Sequence, residues 1–400
     1  PPPRARRPGG PPPPPPPPPG RVVVLDRTPE QQALWETCVR LGREVIAPGA
    51  ASRDAQSRFD HDVWQSLAEV GIVGLPIPVE LGGSGGSILD LCVANEALGY
   101  GGHDGGLNLS LGAHWVIGTV PIWLHGSPEL QQRWLPGLCD GSVIGAWAST
   151  EPEAGSDAAA LRTTAVRSGE DWVIDGTKIF ITNAAIAGVC TVLAKTSDRG
   201  ATAFVVDTTT PGFVVGRELD KLGCRSSPTA EVHLRDLRVP GSAVLGQVDE
   251  ALWSVAFECF DWERTVMVAG MVGGMQATLE STIAYARQRE QFGRPIAQHQ
   301  VIAHKLAQMK INLESCRLAV WRAASLKQAG REHQVEASIA KALVGELSVA
   351  NALESVQIHG GYGYLKDFPA ERALRDSKLA SIGGGTTEIQ KLLISRHLLA

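Results

Sequence analysis

Apolar residues recur at helical spacing over residues 28–145, alternate with polar ones between about 160 and 240, and return to helical spacing from about 250 onwards. In the first stretch, LWETCVRLGREVIAP and SILDLCVANEALGY both carry the helical period. Thr28-Pro29-Glu30-Gln31 is a capping box with proline at the first helical position, and Ser127-Pro128-Glu129 repeats the signal. The loop LGGSGGS (81–87) looks like a nucleotide loop, but it follows Pro76 and Pro78 rather than a clean strand. It reads as a turn, with Ser87 capping the next helix.

Six short β-branched segments follow: TTAVRS, DWVIDGTKIFIT, CTVLAKTS, ATAFVVDT, FVVGREL and TAEVHLRDLRVP, with Asp175-Gly176 as a hairpin signal. They predict a small β-barrel or sandwich. From about 250, an unbroken helical pattern runs to Pro295, and others cover 298–329, 333–359 and 386–399. Four long helices with short connections predict an antiparallel bundle. The expected fold is therefore α+β: an N-terminal helical domain at 28–145, a β domain at 146–249 and a C-terminal four-helix bundle at 250–400. Residues 1–27, opening PPPRARRPGGPPPPPPPPPG, read as a disordered Pro-rich tail, with an SH3-type ligand as the alternative. The start at Pro1 suggests a missing or processed N-terminus. No apolar region follows the Arg4–Arg7 cluster, so no secretory signal is expected.

Composition narrows the function classes. Four hundred residues, 44% hydrophobic, suit two or three domains with sizeable cores. A net charge of −5 gives no reason to expect nucleic acid or an anionic membrane as partner. No stretch approaches the ~20 apolar residues of a membrane span. Seven cysteines lie scattered, with no CxxC and no metal-ligand spacing, which reads as reduced thiols in a cytoplasmic protein.

Two places carry candidate chemistry. SIGGGTTEIQ (381–390) runs three glycines into a helix start, as close approach of a phosphate or flat cofactor requires, yet its glycine turn holds no acid or base. On a helix over 256–274, Glu263 shares its face with Ala256, Cys259, Phe260, Met267, Gly270 and Gly274, all apolar or small. A charge there is costly to bury without a partner. Arg264 is a poor one, since adjacent residues do not share a helix face; a neighbouring helix could supply another. The two glycines would admit a ligand or a second helix. A solvent-excluded glutamate has a raised pKa and suits proton abstraction from a weak carbon acid.

AWASTEPEAGSD (146–157) and DGTKIFITNA (175–184) resemble the acyl-CoA dehydrogenase family, as do ARQREQFGRPIAQHQ (286–300), QIHGGYGY (357–364) and RDSKLASIGGGTTEIQKLLISRHLL. The ordered blocks span roughly residues 28–400. The resemblance implies FAD and removal of two hydrogens across the α and β carbons of an acyl thioester. It places Trp147, Ser149, Thr150, Phe180 and Thr182 around the flavin, with Phe180 where the family often has Trp, and Ser156 beside the thiol carrier. Arg289, Gln291, Phe292, Gln300, Gln357 and Gly361 match further FAD contacts, some reaching a neighbouring subunit's cofactor. Thr386 and Glu388 match the cofactor-proximal start of the last helix, where plain capping is the alternative. Many members carry the catalytic glutamate where this chain has Gly384. A branch including isovaleryl- and long-chain acyl-CoA dehydrogenases carries it on the long helix just before an arginine, which here is Glu263 before Arg264. The resemblance leaves Gly384 with its backbone N–H as oxyanion donor, beside Gly385, and makes Asp261 and Arg264 substrate-carrier contacts, with an exposed ion pair as the alternative. Coenzyme A or an acyl-carrier protein as carrier, an electron-transfer flavoprotein as acceptor and a homotetramer follow from resemblance alone. A flavin-dependent oxygenase or N-hydroxylase, and a flavin-free scaffold, remain the other readings.

Overall fold

Thr28 and Ser87 each accept a hydrogen bond from the backbone N–H of the third residue of their helix and donate their own backbone N–H to that residue's side chain, completing two capping boxes. The computed structural model describes residues 26–400 except Arg199, and only the backbone of Trp253. The expected Pro-rich tail lies, up to residue 25, outside the described residues. Seven α-helices come first: α1 (Pro29–Leu41), α2 (Ala50–Gln56), α3 (His61–Glu69), α4 (Ile88–Gly102), α5 (Gly105–Ala113), α6 (Val120–His125) and α7 (Pro128–Cys139). A wider turn at His114–Thr119 joins α5 to α6, so 21 residues run as one apolar helical stretch. That is long and apolar enough to cross a membrane, which corrects the expectation from composition, but the stretch is 78% buried inside the protein.

The middle of the chain forms one eight-stranded sheet. Its strands are β1 (Gly145–Ala148), β2 (Thr164–Ser168), β3 (Asp171–Thr182), β4 (Val189–Lys195), β5 (Ala201–Asp207), β6 (Phe213–Glu218), β7 (Thr229–Pro240) and β8 (Val244–Leu245). The order is β6-β7-β3-β2-β4-β5-β8, with β1 parallel to β4 off that path. All six expected strands form; β1 and β8 are additional. Asp175-Gly176 is not a hairpin: β3 runs straight through it with a register shift between Ile174 and Gly176. Gly176 is needed instead because a Cβ there would strike the Thr163 side chain. Side chains from β1 to β7, including Ala146, Ala148, Trp172, Phe204, Phe213 and Val232, meet in one core, so the sheet curls around it. The opposite face of β1, β4 and β5, with Trp147, Leu193 and Val205, packs on the helical domains. Both faces are covered, which explains the nearly continuous burial of these strands.

The C-terminal part comprises α8 (Phe257–Gln288), a small hairpin of β9 (Glu290–Gln291) and β10 (Arg294–Pro295), and four further helices: α9 (Gln300–Gln328), α10 (Gln334–His359), α11 (Pro369–Ser377) and α12 (Thr387–Leu399). α11 was not expected from the pattern. α8 is buried against α4: Asn95 donates to the Val266 carbonyl at 2.8 Å, and a Cβ on Gly99 would strike the Gly270 carbonyl. Gly270 thus serves helix packing rather than ligand access. A polar knot joins the three parts. The Asp104 carboxylate accepts from Arg53 at 2.8 Å and from Ser226; the Cys224 N–H donates to Asp376 at 2.6 Å; Arg375 grips Asp54 with two bonds of 2.9 and 2.7 Å. All seven cysteines are buried and unbridged.

Candidate active site

β1 ends in Trp147-Ala148, and the chain after it is fastened to β3. The Lys178 ammonium is fully buried, donating to the Glu151 carboxylate at 2.7 Å and to the Ser149 carbonyl at 3.1 Å. Glu151 also accepts the N–H groups of Arg162 and Thr163. The Ile179 N–H donates to the Thr150 carbonyl at 2.9 Å. Two blocks far apart in sequence, 147–151 and 178–182, therefore form one surface. β3 carries a bulge here, its register skipping from Lys178 to Ile181 against β7. Phe180 occupies the bulge in the left-handed region, at φ +61°, and is 64% exposed. A bulky residue held at positive φ with an exposed ring is strained, and such strain clusters where a ligand is bound. Thr182 stays in the ladder opposite Thr229.

Trp147 is buried, yet its indole N–H finds no acceptor among the described residues. A buried donor left unpaired is costly, so its partner is expected to be a ligand. Its ring lies in the same hydrophobic cluster as Cys259 and Phe260, the turn of α8 just before Glu263. This connects the β-domain surface to the base candidate.

Glu263 makes no ion pair or hydrogen bond among the described residues. Desolvation pushes its carboxyl above the ordinary carboxylate range, opposed by Arg264 and Lys341. Directly against it lies Gly384: a Cβ there would sit 3.1 Å from Glu263 Cδ and Oε1. Gly384 and Gly385 have φ of +65° and +88°, a left-handed pair that glycine adopts without strain. Gln390, fully buried on α12, donates to both their carbonyls at 3.2 and 3.0 Å. With the carbonyls held back toward α12, the N–H groups of Gly384 and Gly385 have no acceptor among the described residues. Thr386 caps α12 by accepting from Ile389, and Glu388 is exposed in the first turn, its pKa lowered by its own backbone N–H and by Thr386.

Asp261 and Arg264 do pair at 3.6 Å across one turn, but the pair is buried, not exposed. His333 comes to 3.6 Å from the other Asp261 oxygen. Desolvation raises the Asp261 carboxyl and lowers the Arg264 guanidinium. Asp261 Oδ1 and Arg264 Nε lack hydrogen-bond partners among the described residues, so the pair retains capacity toward a ligand. Ser156 is exposed on the loop beyond Ala154.

The remaining candidates sit at the far end of α8. Arg289, Gln291 and Gly361 line a cavity of about 370 Å³ with Tyr285, His359 and Tyr362. A Cβ on Gly361 would meet open space. Phe292 is 95% exposed at φ +53° and leans on His299, and Gln300 and Gln357 are exposed outside the cavity lining. Glu263 and Arg289 are 26 residues apart, 25 of them along α8, roughly 40 Å at 1.5 Å per residue. One chain thus presents two clusters rather than one.

Three family models match in sequence order: acyl-CoA dehydrogenase N-terminal domain over residues 28–142, middle domain over 146–237 and C-terminal domain over 253–399. The chain belongs to the acyl-CoA dehydrogenase family. It is 38% identical over 377 residues to the probable acyl-CoA dehydrogenase YngJ of Bacillus subtilis, covering 93% of this chain and 98% of that protein. Among solved structures it superposes on the prolyl acyl carrier protein oxidase AnaB with a TM-score of 0.91 at 33% identity, covering 93% and 100% of the two chains. The FAD complex of PigA also gives 0.91 at 33% identity, covering 94% and 98%. This acyl-CoA dehydrogenase is an FAD-dependent oxidoreductase that dehydrogenates acyl thioesters. The unpaired Trp147 donor, the exposed Phe180 ring and the bare Gly361 fit that cofactor, and the two free N–H groups at 384 and 385 fit an oxyanion.

Sequence reading missed Lys178, Glu151, Gln390 and Lys341. Lys178 and Glu151 both stand inside quoted blocks, and in the half-buried strand β3 Lys178 takes one of the inward positions.

Proposed function

We propose that Glu263 is the catalytic base, removing the α-proton of a saturated acyl thioester. The observation carrying this is its carboxylate, desolvated and unpaired, filling the space beside Gly384. As the proton moves to a Glu263 oxygen, charge grows on the thioester oxygen, and the Gly384 N–H, left free by Gln390, donates to it. Bound FAD would supply the acceptor for the hydride leaving the β-carbon. Trp147, Ser149, Thr150, Phe180 and Thr182 line its ring, with the Lys178–Glu151 pair holding their loop in place. Ser156, Asp261, Arg264 and Gly385 are the substrate-side contacts.

The separation along α8 supports a homo-oligomer, a tetramer in the family's manner. The cluster of Arg289, Gln291, Phe292 and Gly361 lies farther from Glu263 than an extended dinucleotide reaches, so it serves a neighbouring copy's cofactor. Gln300 and Gln357 complete that set, whereas Thr386 and Glu388, at the start of α12 beside Gly384, serve the cofactor near Glu263. The carrier is coenzyme A or an acyl-carrier protein, YngJ and AnaB standing for the two. An electron-transfer flavoprotein is the acceptor and the cytoplasm the location.

The test is anaerobic bleaching of the bound flavin by saturated acyl thioesters on both carriers. At least one is expected to bleach the parent, and Glu263→Gln to slow it by at least ~10²-fold. Equal bleaching by the two proteins removes Glu263 from the role.

A further inference from the structure

Lys341 lies on α10 among buried Ala337, Ala340 and Val344 and is itself only 3% exposed. A buried ammonium requires partners. No carboxylate among the described residues comes within 4 Å of it; it donates to the Ala380 carbonyl. One turn on, Gly345 brings α10 against the same carbonyl: a Cβ there would lie 2.8 Å from Ala380 O. Ala380 stands four residues before Gly384, which packs on Glu263. The charged groups bearing on Glu263 are Arg264 from its own helix and Lys341 from α10; the glycine turn brings none. Cys259, one turn earlier, presents a thiol held neutral by burial. Arg264 is already paired with Asp261 and, as a sequence neighbour, leaves Glu263's face. Lys341 is therefore the cation that bears on it from another helix, adding to Arg264.

We propose that Lys341 is a positioning residue for the base: its ammonium tethers the chain leading into the glycine turn and adds, beside Arg264, positive charge that favours the ionised form of Glu263. This deepens the assignment of Glu263 as base and rests on it. The coupling runs both ways. Desolvation brings Lys341 down to about 8, and Glu263 opposes that fall.

The variants separate tether from charge. Lys341→Gln keeps a donor without charge; Lys341→Arg keeps both. The first readout is the pH profile of anaerobic flavin reduction by an acyl thioester that bleaches the parent. Lys341→Gln is expected to bind FAD and to shift the profile's midpoint up by about one unit. Its rate then falls about tenfold below both midpoints and rejoins the parent's in alkaline solution, where Lys341 itself is discharged. Lys341→Arg should restore the midpoint. The second readout uses no turnover and no Lys341 variant: ¹³Cε-lysine NMR of the Lys341 titration should move to lower pH in Glu263→Gln. A rate loss in Lys341→Gln that is uniform across pH, or a Lys341 titration indifferent to Glu263→Gln, overturns the inference and leaves a loop tether. Should Lys341→Gln not fold, the NMR titration decides alone. Full bleaching by Glu263→Gln would instead defeat the base assignment, so the two failures are distinct.

Discussion

The carboxylate of Glu263 occupies the space that a side chain at Gly384 would need, with Cδ 3.1 Å from where a Cβ would stand. The two positions thus share one volume, and only one can carry the acid. Gly384→Ala is expected to push Glu263 aside and strain a backbone at φ +65°. Flavin reduction should slow by at least about tenfold while FAD content is kept. Moving the acid, with Glu263→Gly and Gly384→Glu together, should recover part of the activity that Glu263→Gly alone loses. Stopped-flow reduction of all three variants checks this.

Glu263 must be ionised to act as base. Desolvation raises its carboxyl above the ordinary value near 4.3, so the reduction rate should rise with pH through a midpoint above that value. A flat profile between pH 5 and 8 would exclude a raised carboxyl as the rate-controlling group.

Trp147 offers a buried indole N–H with no acceptor among the described residues. Trp147→Phe keeps the ring in its cluster and removes the donor. FAD binding should weaken a few-fold to about tenfold, as for one hydrogen bond of about 1 kcal/mol. Titration of the stripped protein with FAD measures it.

Asp376 links pH to stability at the junction of the three parts. Burial, reinforced by Asp104 and Asp54, raises it to about 7, against a Cys224 N–H that lowers it. The native state therefore keeps a proton that the unfolded chain has lost, and stability falls as pH rises from about 4 to about 7. Asp376→Asn retains the acceptor and removes the titration. Its advantage in melting temperature over the parent should grow between pH 5 and pH 8, by the equivalent of about 1–3 kcal/mol. An advantage equal at both pH values would show that Asp376 does not titrate in the fold.

What was legible in the sequence follows from what is local. Caps at Thr28, Ser87 and Ser127 read correctly because a side chain and a backbone N–H three residues away suffice. The oddness of Glu263 was visible because a helix face is a local property. Lys341 and Gln390 were not, since a polar residue in a helix reads as solvent-facing until the partner loop, 39 positions away for Lys341, is in place. Asp175-Gly176 misled because a glycine demanded by Thr163 looks the same in sequence as one demanded by a turn. The exposed pair that was the alternative for Asp261 and Arg264 fails because His333, the residue capping α10, comes to 3.6 Å from Asp261.

The packing of α8 over α4 also sets an order of events during synthesis. Leu91, Leu98, Leu107 and Trp115 share their core with Val266, Val268 and Val272, which leave the ribosome about 160 residues later. At 5–20 residues per second, the apolar run Gly105–His125 waits on the order of ten to thirty seconds for its cover. During that interval the run can already pack on the earlier helices, with Trp115 bonded to Ile72 and Val73, but the side it shares with α8 has no cover. Chaperone dependence should therefore be greatest for fragments ending before α8, and a frameshift there would yield an aggregate rather than a smaller folded domain.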